Sequence, residues 1–283
     1  MAAHWRSVKH RRWPVVAAAG LLFAALVYVL AVLTRAGQTI ENAALRGADQ
    51  DDVSETDAAW QALGQITVYS LAAAAVVITL VGVLRKRWDL AVAAVGVIVA
   101  GQVVVQALKR FVLPRPALVE VTGDYAHNSL PSGHTTIAMT VLFAAVIVVP
   151  WKWRGVMLFF VLPWATAIGQ YTLTAKWHRL SDTLAADGIA LAVAALAAWW
   201  LQRKGSLRPH AGPRRAGRVV LVVFWSVVAA GTFALGGVLW GLSLAREGLN
   251  ADEWVIYLGA GTFASAGSLI AALTYLACWR RIA

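Results

Sequence analysis

The sequence predicts an all-α membrane protein, a polytopic helix bundle with eight spans, and three observations predict it. Of the 283 residues, 60% are hydrophobic and only 14% charged, with a mean hydropathy of +0.66, whereas a soluble domain carries about 25% charged residues. Apolar runs long enough to cross the roughly 30 Å hydrocarbon core recur eight times between charge clusters. Eleven of the 14 tryptophans fall near the ends of those runs, among them Trp13, Trp60, Trp88, Trp151, Trp177 and Trp279. An amphipathic ring prefers that interface.

In chain order the spans lie near residues 14–34, 62–84, 89–108, 135–151, 155–176, 180–202, 218–243 and 254–278. The first follows a basic segment but is longer than a signal core and has no small-x-small cleavage site after it, so it reads as an uncleaved anchor. The basic, Gly- and Pro-containing stretch 203–217 is a linker, dividing a six-span core at 1–202 from a two-span C-terminal hairpin at 218–283. In that hairpin Ser226, Ala230 and Ala234, and then Ala260, Ala264 and Ser268, form small-residue stripes suited to close helix packing or to pairing with a second copy of the chain. The single cysteine, Cys278, excludes an internal disulfide framework.

Charge orients the bundle. Seventeen of the 25 Lys and Arg fall at one side, in the N-terminal tail, at Arg85 to Arg87, at Lys152 and Arg154, in the linker with the adjoining Arg218, and at Arg280 and Arg281. The positive-inside rule makes that side, and both termini, cytoplasmic. The net charge of +11 would suggest nucleic acid in a soluble protein; here it is spread along membrane faces and the expected partners are the bilayer and its lipids, not nucleic acid. The other side receives an acidic segment at 41–57 and three polar segments, 109–116, 127–136 and 176–187.

Each polar segment has a chemical and a plain structural reading. Lys109, Arg110 and Arg115 end span 3 beside Pro114 and Pro116; cations facing one point suit a phosphate, and snorkelling to lipid head groups is the alternative. Pro131, Ser132, Gly133 and His134 read as a turn into span 4. A helix N-terminus capped by Ser132 is an anion site with His134 placed to donate a proton, or simply a capped helix. His178 and Asp182, four residues apart, share a helix face, where a carboxylate fixes the imidazole tautomer for nucleophilic or base chemistry, or forms a structural hydrogen bond. Asp187, deeper in span 6, is an unassigned intramembrane carboxylate. A metal site is the rival chemistry, with Asp124, His127, His134, His178 and Asp182 as ligands; the cations at the same face favour an oxyanion over a divalent ion.

Together these segments resemble the type 2 phosphatidic acid phosphatase and vanadium haloperoxidase superfamily, over about residues 60–202: Lys109 with Arg115 and Pro116, then Pro131, Ser132, Gly133 and His134, then His178 and Asp182. Five residues instead of six separate Lys109 from Arg115, and the family's Ser-Arg pair falls on Tyr171 and Thr172. Tyr171 and Thr174, if the helix continues to His178, offer hydroxyls in its place, and Arg179 or Lys176 a charge. The resemblance implies a lipid phosphatase that needs no metal or organic cofactor. In it His178, oriented by Asp182, attacks phosphorus to form a phosphohistidine. Lys109, Arg115 and the Ser132 and Gly133 N–H groups hold the oxygens, and His134 protonates the leaving group. Polyprenyl diphosphate, phosphatidylglycerol phosphate and phosphatidic acid fit as substrates at the extracytoplasmic face of the cell membrane. The missing arginine leaves a second reading, a degenerate member that binds lipid phosphate or serves as a scaffold.

Overall fold

The structure, a computed structural model, describes residues 2–121, 128–210 and 216–282. Ten α-helices account for most of them: α1 (Ala2–Val27), α2 (Arg35–Gly47), α3 (Val53–Gly64), α4 (Val68–Leu84), α5 (Trp88–Ala107), α6 (Gly133–Val148), α7 (Arg154–Thr174), α8 (Leu180–Arg203), α9 (Ala216–Glu247) and α10 (Glu253–Cys278). Single π turns extend α1 through Tyr28–Val32 and α5 through Leu108–Val112. Among the described residues six helices are long and apolar enough to cross a membrane. Helix α4 meets that test only together with α3, from which it is bent by 60°, and α6 is a shorter apolar helix of 16 residues.

Every expected span has a helix at its position, with two corrections. The run 62–84 is not continuous. Helix α3 stops at Gly64, and a capping box between Thr67 and Ser70 starts α4 afresh, because reciprocal cap bonds satisfy the first free N–H groups of a new helix. Span 4 begins at Gly133 and ends at Val148, two residues before Pro150.

Helix α8 is the hub, packed against α1, α5, α6 and α10. Small residues make this possible. A Cβ built at Gly20 would lie 2.5 Å from Gly188 O, and one at Gly188 would lie 2.6 Å from Gly20 O, so α1 and α8 cross backbone to backbone. Without a hydrophobic force between helices in lipid, such close van der Waals approach is what drives them together. Helix α10 is as buried as α8 and packs on α2, α7 and α8, so it is built into the bundle. Its stripe residues Ala260, Ala264 and Ser268 are fully buried. Helix α9 is mostly exposed and approaches α10 through Gly236 and, at Gly259, under Trp240. Ser226, Ala230 and Ala234 face outward, so of the two stripes only this one is left for a second copy.

The two ends of the bundle differ in kind. At one end Arg154, fully buried, donates to Trp279 O (3.2 Å) and Ile282 O (2.6 Å), Arg85 donates to Val148 O, and Arg87 donates to Ser206 O, so the loops and the C-terminal residues lock together. The other end gathers α2, the 113–121 segment, the start of α6 and the α7–α8 turn. Successive long helices run alternately between these ends.

Replacing Gly188 with Val should wedge α1 from α8 and cost about 2 kcal/mol, as overpacking does. Scanning fluorimetry of the detergent-purified protein should show a melting midpoint several degrees lower. Gly96→Ala, at a position where a Cβ meets nothing within 4 Å, should leave it unchanged or slightly raised.

Candidate active site

The first segment is built by stopping a helix. Helix α5 loosens into its π turn, which carries Lys109 half-buried and Arg110 exposed; Pro114 and Pro116 then hold the chain extended. That stretch is pinned from both sides. Tyr28 donates to Pro114 O (2.6 Å), Gln38 Nε2 to Pro116 O (2.8 Å), and Asn128 Nδ2 to Leu113 O (2.6 Å). The Arg115 side chain it delivers is only 3% exposed.

The second segment is a true N-cap. Ser132 Oγ accepts from Thr135 N–H (3.3 Å) and from Thr135 Oγ1 (3.0 Å). Its backbone N–H, expected to face phosphate, donates instead to Asp182 O (2.9 Å) and so ties this segment to the third. Among the described residues the N–H groups left without a partner in this first turn are those of Gly133 and His134. A Cβ at Gly133 would meet only Gln106 Nε2, at 3.6 Å, so packing alone does not demand glycine there. The His134 ring lies 5.1 Å from that of Trp177, which in turn meets Trp60 edge-on at 4.8 Å.

The third segment differs from a continuous helix. Helix α7 ends at Thr174 and Lys176 turns the chain with φ 57°, a left-handed conformation, so His178 precedes α8 and Arg179 is its N-cap. Asp182, one turn into α8, reaches back: Oδ2 accepts from Arg179 N–H (2.9 Å) and from His178 Nδ1 (3.0 Å). A carboxylate only accepts, so the imidazole proton sits on Nδ1 and the Nε2 lone pair is free to attack. His178 is 8% exposed and Asp182 fully buried.

Around this pair the charged groups converge. Lys109 lies within Coulombic reach of Asp182, and His134 within reach of both His178 and Lys109. Arg179 Nη1 donates to Ser129 Oγ (3.2 Å) and Nη2 points at Asn42 Oδ1 (3.5 Å). From α2 comes a buried carboxylate the sequence did not flag: Glu41 Oε1 accepts from Ser181 N–H (2.9 Å), and Oε2 stands 3.5 Å from Arg115 Nη1. Burial, and then the charge of Asp182, push the Glu41 carboxyl above its ordinary range, with Ser181 and Arg115 opposing. Burial, and then Arg115, lower the Arg179 guanidinium, with Asp182 and Glu41 opposing. Neither terminal nitrogen of Arg115 makes a hydrogen bond although both are buried.

Residues 90–206 match the family model described as the PAP2 superfamily. Over these residues the chain is similar to that superfamily. A search of curated proteins and a search of solved structures find no match. PAP2 proteins are generally phosphatases, and with the apolar helices this points to a membrane phosphatase. The match takes in all three polar segments and leaves α1, α2, α3, α4, α9 and α10 outside.

The structure thus brings Lys109, Arg115, Gly133, His134, His178, Arg179 and Asp182 to one place and does not bring the other candidates there. Thr174 shares a hydrogen bond with Tyr257 on α10 (2.9 Å), and Lys176 pairs with Asp49. Tyr171 lines the cavity between α3, α4, α6 and α7. Thr174 and Tyr171 stay out of the charged cluster because α7 ends before His178. Of the rival metal ligands, Asp124 and His127 lie outside the described residues, and among those described no three His, Cys, Asp or Glu cluster as a metal site. Glu41, Gln38, Asn42 and Ser129 were missed; the signal available was the three- and four-residue spacing of Gln38, Glu41 and Asn42 between two spans.

Thr172, where the resemblance places the family's arginine, is fully buried, donates to Gly169 O (2.7 Å) and meets Thr183 Oγ1 at 3.3 Å. Thr172→Arg should therefore lower the melting midpoint without raising phosphate release; a variant as stable as wild type and more active would contradict this geometry.

Proposed function

We propose that this chain is an integral membrane lipid phosphatase that removes phosphate from a lipid phosphomonoester or diphosphate through a phosphohistidine. The observation that carries the proposal is the Arg115 guanidinium, buried with no hydrogen bond at either terminal nitrogen among the described residues, at the same end of the bundle as an imidazole whose Nδ1 is held by a buried carboxylate. A buried unpaired donor is costly, and a phosphoryl oxygen is the acceptor it fits.

Lys109, Arg115, Arg179 and the Gly133 and His134 N–H groups hold the nonbridging oxygens, and charge gathers on these in the transition state. The His178 Nε2 lone pair attacks phosphorus, the P–O bond to the lipid breaks in line, and His134 gives its proton to the departing oxygen. Asp182 stabilises the imidazolium that forms. Water then attacks the phosphohistidine, His134 takes its proton, and phosphate and free His178 result. A cavity of about 460 Å³ between α3, α4, α6 and α7, lined by Ile137, Val141, Trp164 and Ile168, begins one turn along α6 from His134. It suits the chain of a polyprenyl or acyl lipid entering sideways from the bilayer, which supports polyprenyl diphosphate, phosphatidylglycerol phosphate or phosphatidic acid as substrate.

All eight long helices cross the membrane in this reading. Both termini are cytoplasmic and the site opens at the extracytoplasmic face of the cell membrane, which the seventeen cations at the other end support. Thr172 is what favours the second reading, a lipid-phosphate binder without turnover; the buried Arg179 beside His178 weighs against it.

Detergent-purified protein should release phosphate from at least one of those three lipids. His178→Ala should abolish release, and Arg115→Ala should lower it by about 10²- to 10³-fold, as loss of an oxyanion donor does. Folded wild-type protein that releases none would establish the binder instead. In a Cys278→Ser background, Asp57→Cys should react with an impermeant thiol reagent on intact cells and Lys204→Cys only after lysis; the reverse pattern would invert the orientation.

A further inference from the structure

Glu41 is the one carboxylate of the site that phosphoryl transfer does not use. Helix α2 lays it against the two arginines, and its position is fixed: Oε1 is held by Ser181 N–H at the start of α8, and Oε2, with no hydrogen bond of its own, faces Arg115 across 3.5 Å. The charged groups around it come from every neighbouring element. Arg115 comes from the segment after α5, Arg179 from the α7–α8 turn, and Asp182 from α8. Gln38 and Asn42, its neighbours on α2, are uncharged and bonded elsewhere. Among the described residues Glu41 is the carboxylate that faces Arg115, and without it a phosphate dianion held by that guanidinium in a poorly solvated pocket would leave slowly.

We propose that Glu41 is an internal counterion that competes with phosphate for Arg115. In the empty site it occupies the guanidinium; an incoming phosphoryl group takes over the terminal nitrogens, and after hydrolysis the carboxylate regains them and helps expel the product. Glu41 is therefore a positioning residue that sets phosphate affinity. This rests on the reading of the site as a phosphatase centre. Glu41 lies on α2, outside the residues that match the PAP2 model.

The test is the dissociation constant of inorganic phosphate, measured by calorimetry on the detergent-purified full chain, with steady-state and single-turnover release from the preferred lipid beside it. Glu41→Gln keeps an acceptor for Ser181 N–H and removes the charge. It should tighten phosphate binding at least tenfold and lower kcat while the first turnover keeps its rate. Glu41→Asp, which retains the charge, should stay near wild type. Asn42→Asp, nearly isosteric and facing Arg179, should act in the opposite direction and weaken phosphate several-fold, and it leaves the Glu41 cap untouched should the Gln variant fold poorly. Unchanged or weaker phosphate binding in a folded Glu41→Gln, or unchanged binding in Asn42→Asp, would overturn the counterion role and leave Glu41 a helix cap. Wild-type protein that neither binds phosphate nor releases it from lipid would overturn the phosphatase reading itself.

Discussion

The structure depends on one constraint: a charge placed beside hydrocarbon must find its partner inside the protein. Burying an isolated ion costs several kcal/mol even after relaxation, and Arg115, Arg179, Asp182 and Glu41 are all buried at one end of the bundle. Each is answered by another of the set or by a backbone group. Asp182 takes the Arg179 N–H and His178 Nδ1, Glu41 takes the Ser181 N–H and faces Arg115, and Arg179 turns to Ser129 and Asn42. Helix α2 exists to supply this matching. Its buried residues include Gln38, Glu41 and Asn42 beside Ala43 and Ala44, which pack in an apolar cluster with Ile256, Ala260 and Ala264.

Within the cluster a few donors are left uncommitted. Arg115 retains two buried nitrogens without hydrogen bonds, and the first turn of α6 retains the Gly133 and His134 N–H groups. Donors held in place before substrate arrives need no reorganisation when charge develops. That fixity comes from the fold. The Ser132 N–H bond to Asp182 O locks α6 to α8, and the Gly20 and Gly188 contact holds α8 against α1. A site at a membrane surface is thereby given the rigidity of a bundle core.

Much of this was legible in the sequence where lipid alone decides the outcome. Over twenty residues the cost of polar groups in hydrocarbon outweighs local preferences, so Leu180–Arg203 falls where 180–202 was expected. The break between α3 and α4 was hidden because a cap such as Thr67 with Ser70 changes hydropathy little. Helix α2 was hidden for a different reason: its face is read by polarity, and the polar side points inward, so an acidic segment looked like solvent-exposed chain. The His178 and Asp182 pair was found through the right spacing and the wrong element. The four-residue step works here through Asp182 reaching back from an N-terminal turn, not through a shared helix face. That same end of α7 removed Thr174 and Tyr171 from the site.

The departure at Thr172 and the presence of α10 belong together. Gly169 and Thr172 give α7 a small face, against which Thr183 of α8 and Ser268 of α10 close: a Cβ at Gly169 would come within 3.1 Å of Thr183 Cγ2 and 3.3 Å of Ser268 Oγ. One helical turn on, Thr174 joins the same interface through Tyr257. An arginine at 172 would have to thread between α7 and α8 where no exposed surface remains. With α10 built into the bundle at that point, the cation is carried outside α7, at Arg179. There it neighbours His178 directly in the chain and is reached by the polar face of α2.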